Sequence, residues 1–517
     1  MNLLAFKVKE FSLIHSILFA LFPGIVLYSV NESILPFESF FLPLVLVVSF
    51  AISLWIILRL ILKNSKKAGF IVSTLFFMFL MFYHFFNVLS ENKSEDIGFT
   101  PIHLGLIFLI IFSLSTFYFV KTKRKLDNAT KITNAMAISL ILIVLFNIGI
   151  FHSERNPALD ELEIPIDEIS VSASEKLPDV YYIFLDGHTN SLVAKKFFSY
   201  DDQEFVNFLT NNGFYVPTHY TNSNYIWTIF STPSALNMNY VHNIVSGYGE
   251  SEPPGKDLYE MIDKNQVMQN FKSLNYTVIN FDSAWWGTRN LDVADENLCE
   301  NRALDYRLIT QIKDTTVFPA IDILNDYLTE QLYSKKREQI WCELSELSTV
   351  REKFDGPIFA YAHFVAPHRP WVFEANGDPI KEFIPEAGTN YSENFENRTK
   401  AYFNQMKFID NQIQKVIEKI LEDTEHEKII IIQSDHGPKI LPEGISTDEE
   451  NIIFLGNFNA FYLPDNKGEI FAEHSNVNTF RILFNTYFNG NYEILEDKVY
   501  NEGYIENWNK IVNDVLG

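Results

Sequence analysis

Five apolar runs fill most of the first 151 residues: 11–30, 40–62, 69–89, 102–120 and 132–151. Each is about 20 residues long, the length a helix needs to cross ~30 Å of hydrocarbon. A single run of this kind also occurs as a core helix of a soluble domain. Five in series, separated by short polar loops, argue against that reading and for a five-helix transmembrane bundle. No small-residue cleavage site follows the first run, so it reads as a span and not as a cleaved leader.

The loops orient the bundle. Lys7 and Lys9 precede the first run, and Lys63, Lys66 and Lys67 follow the second. Lys121, Lys123, Arg124, Lys125 and Lys131 separate the fourth from the fifth, while the two alternate loops hold one lysine between them. This is the positive-inside pattern. It predicts a cytoplasmic N-terminus, and an odd number of spans then carries everything after residue 151 to the far side. Arg59 is the one strong charge inside a span and sits near its cytoplasmic end, where it can snorkel. The bundle therefore reads as an anchor and not as an ion pathway.

Charge divides at the same place. Residues 1–151 hold 12 Lys/Arg and 7 Asp/Glu, a net of +5; the whole chain is at −24, so the remainder carries −29. Such a surface repels nucleic acid and anionic lipid. Residues 152–178 are acidic, contain proline and lack periodicity, and read as a linker. The two cysteines, Cys299 and Cys342, follow it. They form no Cys-x-x-Cys pair, and their spacing leaves one disulfide and two free thiols both open.

Residues 179–517 read as a soluble α/β domain. "DVYYIFLDGHTN" holds a continuous apolar run at 180–185, as a strand covered on both faces does. Similar runs occur at 278–281, at 358–362, and in "KIIIIQSDHG" from residue 428. Helical patterns lie between them, which predicts a mostly parallel sheet flanked by helices. Reactive groups in such sheets collect at the carboxyl ends of the strands. Asp186, His363, His368, Asp435 and His436 all fall there. Each alone reads as a turn, a cap or a satisfied histidine. Together, two carboxylates and an imidazole make a cation site with mixed oxygen and nitrogen ligands, suited to Mn, Mg or Zn.

Such a site needs a reacting group. "NYIWTIFSTPSALNMNY" offers Thr228, Ser231, Thr232 and Ser234. Ser231 followed by Pro233 reads as a helix N-cap, with Thr228 in the loop before it. A hydroxyl beside a divalent metal loses its proton more easily and becomes a nucleophile.

"VYYIFLDGHTN", "NYIWTIFSTPSALNMNY", "FAYAHFVAPHRPWVF", "IIIIQSDHGP" and "VNTFRILFNTYF" occur in this order. The set resembles the sulfatase-like family of the alkaline phosphatase superfamily, and most of all its membrane-anchored bacterial branch of lipoteichoic acid synthases and phosphoethanolamine transferases. The resemblance implies an alkaline-phosphatase-like fold, and one divalent metal held by Asp186, Thr228, Asp435 and His436. Thr228 would also be the nucleophile. His368 matches the histidine that holds the substrate phosphate, and His363 is a weaker match of the same kind. One departure is that the synthases place Glu where this chain has Asp186, which keeps the carboxylate and shortens its reach. Arylsulfatases use Cys-x-Pro-x-Arg, in some cases with Ser first. Here Ser231 and Pro233 fit, but Ala235 stands where Arg belongs.

The expected protein is a multi-pass membrane enzyme with an extracytoplasmic catalytic domain. It would transfer or hydrolyse a phosphoryl-linked group of an envelope lipid or glycan through a covalent Thr intermediate. The alternatives are a sulfuric ester hydrolase and a catalytically silent, envelope-binding protein. An intact set of metal ligands speaks against silence.

Overall fold

The computed structural model describes residues 12–29, 37–91, 101–153, 169, 177–244, 255–300, 322–384, 391–392, 394–464, 468–501 and 503–517. They divide into two compact units, residues 1–155 with 302–332, and residues 156–301 with 333–517. Most of the linker expected at 152–178 lies outside the described residues.

The first unit contains α1 (Ser12–Ser29), α2 (Phe37–Leu62), α3 (Ser65–Glu91), α4 (Pro101–Lys121) and α5 (Asp127–Ser153), one helix at each of the five apolar runs. Among the described residues, three segments are long and apolar enough to cross a membrane: Pro43–Leu62, Ile102–Lys121 and Asp127–Ile150; Leu13–Ser29 is a shorter apolar helix. Large side chains such as Leu46, Leu60, Leu109, Leu114 and Phe146 are at least 58 % exposed. Water is a poor solvent for so continuous an apolar surface. Inside the unit, polar contacts tie helices together: the His15 amide donates to Asn134 Oδ1 at 3.1 Å, and His15 Nδ1 lies 2.6 Å from Ser73 Oγ.

The second unit is built on a six-stranded sheet: β1 (Asp179–Leu185), β2 (Thr277–Phe281), β3 (Glu296–Leu298), β4 (Ile358–Phe364), β5 (Lys428–Gln433) and β6 (Asn459–Tyr462), in the order β3-β2-β4-β1-β5-β6. All pairings are parallel except β5 with β6. Every residue of β1, β4 and β5 is buried, which explains their unbroken apolar sequences. Alternate side chains serve opposite faces. Val180, Tyr182, Ile429 and Ile431 join one core with Phe271 of α7 (Gln266–Ser273) and Phe480 of α10 (Asn476–Tyr487). Phe271 stacks on Phe359 at 4.2 Å, and Phe480 meets Tyr182 edge-on at 4.9 Å. Burial of each such side chain stabilises the fold by about 1.5–3 kcal/mol.

Two further helices matter for the site. α6 is Thr228–Leu236; the long α9, Phe395–Glu422, buries Tyr402, Met406, Ile409, Ile413, Ile417 and Ile420 at helical spacing. Between α7 and α9 in the chain, α8 (Asp322–Thr349) carries Cys342, which is disulfide-bonded to Cys299. The pairing that the sequence left open is therefore a disulfide.

Candidate active site

The parallel strands deliver Asp186, just past β1, and Asp435 and His436, just past β5, to the same edge of the sheet. Register accounts for this: Phe184 pairs with Gln433, so the two chains leave the sheet together. β4 extends to Phe364, so His363 lies inside the strand and not beyond its end, as the shorter run at 358–362 had suggested.

Two glycines allow the crossing. Gly187 has φ +73°, a region that a side chain disfavours, and its amide donates to Asp435 Oδ1 at 2.9 Å. Gly437 has no room for a side chain, because a Cβ there would stand 2.0 Å from the Ile453 carbonyl oxygen. This close passage explains the glycine after the Asp-His pair.

Thr228 is the first residue of α6, with Trp227 as N-cap. The helix thus begins four residues earlier than a cap at Ser231 would place it. Ser231 does not cap: its hydroxyl donates to the carbonyls of Asp435, at 2.7 Å, and Tyr225, at 3.2 Å. Ser231 is a strut that ties α6 to the β5 exit. Thr228 Oγ1 lies 3.2 Å from His436 Nε2.

The tautomers follow from the partners. His436 Nδ1 donates to the Gly437 carbonyl at 2.7 Å, and His368 Nδ1 to the Arg369 carbonyl at 2.6 Å. A carbonyl only accepts, so both Nε2 atoms carry a lone pair. His436 Nε2 is 3.4 Å from Asp435 Oδ2 and 3.8 Å from Asp186 Oδ1. Ligand atoms of Asp186, His368 and His436 all lie within 4.8 Å of one another. His363 Nε2 is 3.8 Å from Asp186 Oδ2, and its Nδ1 lies 2.7 Å from Thr288 Oγ1. The structure thus brings together all six residues that the sequence singled out.

Burial defines the electrostatics. Asp186 and Asp435 are at most 1 % exposed. Burial, reinforced by the charge of Asp435, pushes the Asp186 carboxyl well above the usual range; burial also raises Asp435. The same desolvation lowers His436 to about 3 and His363 to about 4. Asp186 Oδ1 and Asp435 Oδ2 find no hydrogen-bond partner among the described residues. Two buried carboxylates with open oxygens, a hydroxyl and imidazole lone pairs fit a divalent cation, whose charge would offset the repulsion.

Arg369 Nη1 and Lys439 Nζ also lack acceptors among the described residues. Lys439 Nζ sits 4.5 Å from the ring centre of Trp227 and 3.8 Å from that of Phe454. A small cavity of about 20 Å³ is lined by Gly187, His368, Arg369, His436 and Lys439.

Sequence reasoning missed the groups that hold the Asp186 turn. Tyr402 of α9 accepts from the Thr189 amide at 3.0 Å and donates to the Gly187 carbonyl at 2.9 Å. His188 Nε2 meets Asp410 Oδ1 at 2.9 Å, and its Nδ1 meets the Thr189 carbonyl at 3.1 Å. Burial opposes a charge on His188, but Asp410 outweighs it and raises its pKa; burial raises the Asp410 carboxyl as well. Tyr402 and Asp410 are eight residues apart on one face of α9, a helical repeat that marks the face but not its target.

The comparisons with known proteins bear on this arrangement. The zinc complex of the C-terminal periplasmic domain of EptC from Escherichia coli aligns with a TM-score of 0.40 and 11% identity, covering 66% of this chain and 94% of that one. The integral membrane lipooligosaccharide phosphoethanolamine transferase EptA from Neisseria meningitidis aligns at TM-score 0.39 and 10% identity, over 93% and 95%. BT1596, a 2-O GAG sulfatase, aligns at 0.35 and 12%, over 56% and 65%. No curated protein matches the chain. The sulfatase family model matches residues 178–482, more than half of the 517. That stretch supplies Asp186, Thr228, His363, His368, Asp435 and His436, and with it the chain belongs to the sulfatase family.

Proposed function

We propose that this protein is a membrane-anchored, metal-dependent transferase or hydrolase of phosphoryl-linked envelope lipids or glycans, and that Thr228 is its nucleophile. One observation carries the reading: Thr228 Oγ1 lies 3.2 Å from His436 Nε2, beside two buried carboxylates with open oxygens. Asp186, Thr228, Asp435 and His436 would hold the cation. When bound, it would favour the ionised Thr228 hydroxyl and draw charge from the oxygens on phosphorus.

This chain's residues then have separable tasks. Thr228 Oγ1 enters as the alkoxide, its proton having passed to solvent. It bonds to phosphorus, and the bond from phosphorus to the leaving oxygen breaks, with its electron pair going to that oxygen, which takes a proton from water. An acceptor hydroxyl or water next attacks the phosphothreonine, its proton passing to the His368 Nε2 lone pair, while the bond from phosphorus to Thr228 Oγ1 breaks and its electron pair returns to Thr228 as the alkoxide. Arg369 and Lys439, whose donors are open, meet the oxygens on phosphorus. His363, buried beside Asp186, acts through that carboxylate as a positioning residue. Ser231 is committed to two carbonyls, which weighs against a sulfatase mechanism with an oxidised residue at that position.

The substrate class follows from placement. Residues 1–151 would anchor the domain 179–517 close to lipid headgroups, through the linker 152–178. The basic loops place the N-terminus in the cytoplasm and the domain outside, where an oxidising compartment suits the Cys299–Cys342 bond. Trapping with a slow phosphodiester donor, followed by mass spectrometry, tests the nucleophile. An adduct on Thr228 is expected, while an adduct or formylglycine at Ser231 overturns the reading. Labelling of a cysteine tag after Gly517 in intact cells tests the orientation, which fails if only permeabilised cells label.

A further inference from the structure

Three successive carbonyls in the turn after β4 have side-chain partners. The Arg369 carbonyl takes the His368 Nδ1 proton at 2.6 Å, which leaves the lone pair of that ring on Nε2. The carbonyls on either side, those of His368 and Pro370, both accept from Lys336 Nζ, at 2.8 and 3.0 Å. Lys336 belongs to α8 and is 2 % exposed. One buried lysine thus grips the backbone on both sides of the group that sets the tautomer of His368.

From this geometry we propose that Lys336 is a positioning residue of the reaction. It holds the Arg369 carbonyl in place for His368 Nδ1 and so fixes the direction of the Nε2 lone pair. The inference rests on the two-step reaction at Thr228, in which His368 takes the proton of the acceptor. Lys336 touches no reacting atom and acts through His368.

Other contacts show what is left for Lys336 to do. The His368 amide donates to the Asp186 carbonyl at 2.9 Å. Gln405 of α9 donates to the His368 carbonyl at 3.1 Å and accepts from the Val372 amide at 2.7 Å. Those bonds fix where the turn begins and ends, and the grip of Lys336 spans the Arg369 carbonyl between them. An ammonium makes stronger hydrogen bonds to carbonyls than a neutral donor does. Burying one costs free energy that an apolar side chain would not. An apolar residue would seat α8 at lower cost, so the charge points to the turn.

The helix that carries Lys336 is itself tied to the strand exits. Asp282 follows β2 and Cys299 follows β3. Gln339, three residues after Lys336, donates to the Asp282 carbonyl, and to the Cys299 carbonyl at 3.2 Å. Cys342, three residues further, is disulfide-bonded to Cys299. Residues at this spacing share one side of a helix. Lys336 therefore reaches the His368 turn from a support fixed to the same edge of the sheet as the site.

The full chain in detergent with a saturating divalent metal, bis(para-nitrophenyl) phosphate as donor and water as acceptor separates the two steps. Nitrophenolate release reports formation of the Thr228 adduct, and rapid quench with mass spectrometry follows its decay. Lys336→Met is expected to form the adduct within about threefold of the wild-type rate and to slow its decay on the order of tenfold or more, so that the adduct accumulates. In a His368→Gln background, where decay is already slow, Lys336→Met is expected to add less than about twofold. Should Lys336→Met fail to fold by circular dichroism, Lys336→Gln, which keeps an amide donor, is held to the same outcomes. Equal slowing of both steps, an unchanged decay rate, or a full additional effect in the His368→Gln background overturns the assignment. A wild type that forms no adduct on Thr228 removes the reaction itself, and the role of Lys336 with it.

Discussion

Thr228 Oγ1 and His436 Nε2 stand 3.2 Å apart although 208 residues separate them in the chain. One comes from the first turn of a helix and the other from the exit of a strand. Thr228→Ala is expected to lower turnover on the order of 10³-fold or more while leaving the fold intact. Thr228→Ser keeps a hydroxyl at the same place and is expected to retain part of the activity. Steady-state kinetics with a phosphodiester donor, alongside circular dichroism, checks both. Wild-type turnover in Thr228→Ala would remove this residue from the mechanism.

Ser231 has a different place in the same helix. Its hydroxyl donates to the Asp435 and Tyr225 carbonyls inside the fold. Ser231→Ala leaves buried acceptors with fewer partners, an expected loss of about 1–3 kcal/mol of stability. Activity should fall only in part, through a looser Asp435. Urea unfolding and kinetics on the same preparation separate the two effects. Complete loss of turnover with unchanged stability contradicts the strut assignment.

The two carboxylates of the site make opposite demands with and without a cation. Burial pushes both above the usual range, and each raises the cost of charging the other. Asp435→Asn should therefore lose bound metal at this site. In chelator, however, the variant is expected to unfold at a higher temperature than the wild type, because one of two facing charges is gone. In saturating metal the order reverses. Scanning calorimetry under both conditions checks the crossover, and the same order in both argues against a cation between Asp186 and Asp435.

Glu343 on α8 predicts a pH dependence away from this site. It is fully buried, and burial pushes its carboxyl well above its ordinary value near 4.5, opposed by the Gln339 side chain and reinforced by Asp282, with Lys336 also opposing. The folded protein thus holds a proton there that the unfolded chain releases. Stability from this group is fully present below about pH 4.5 and is lost as pH rises toward the folded value. Glu343→Gln keeps the shape without the acid. Its unfolding temperature should exceed that of the wild type by a few degrees at pH 8 and converge with it at pH 4.5. A gap that does not change with pH assigns Glu343 a packing role alone.

The sequence by itself determined what is local and periodic. The five apolar runs became α1 to α5, and three segments among them are long and apolar enough to cross a membrane, where backbone groups without water must be satisfied within a helix. Unbroken apolar stretches became β1, β4 and β5, because strands covered on both faces tolerate no polar alternation. The convergence of Asp186, Asp435 and His436 was legible, because in a parallel sheet the exits of neighbouring strands share one edge.

The tertiary structure alone decided which distant groups complete those elements. His188 finds Asp410 across 222 residues, Gly187 finds Asp435 across 248, and Cys299 pairs with Cys342. Ser231 had the composition of a helix cap, and a cap is a local pattern. Its actual acceptor, the Asp435 carbonyl, lies 204 residues away, and nothing in "TIFSTP" specifies it. Propensity and periodicity act over a few residues. The partners of Ser231, His188 and Gly187 are set by sheet order and by the packing of α9 against the strands, and these emerge only when the whole chain has closed on its core.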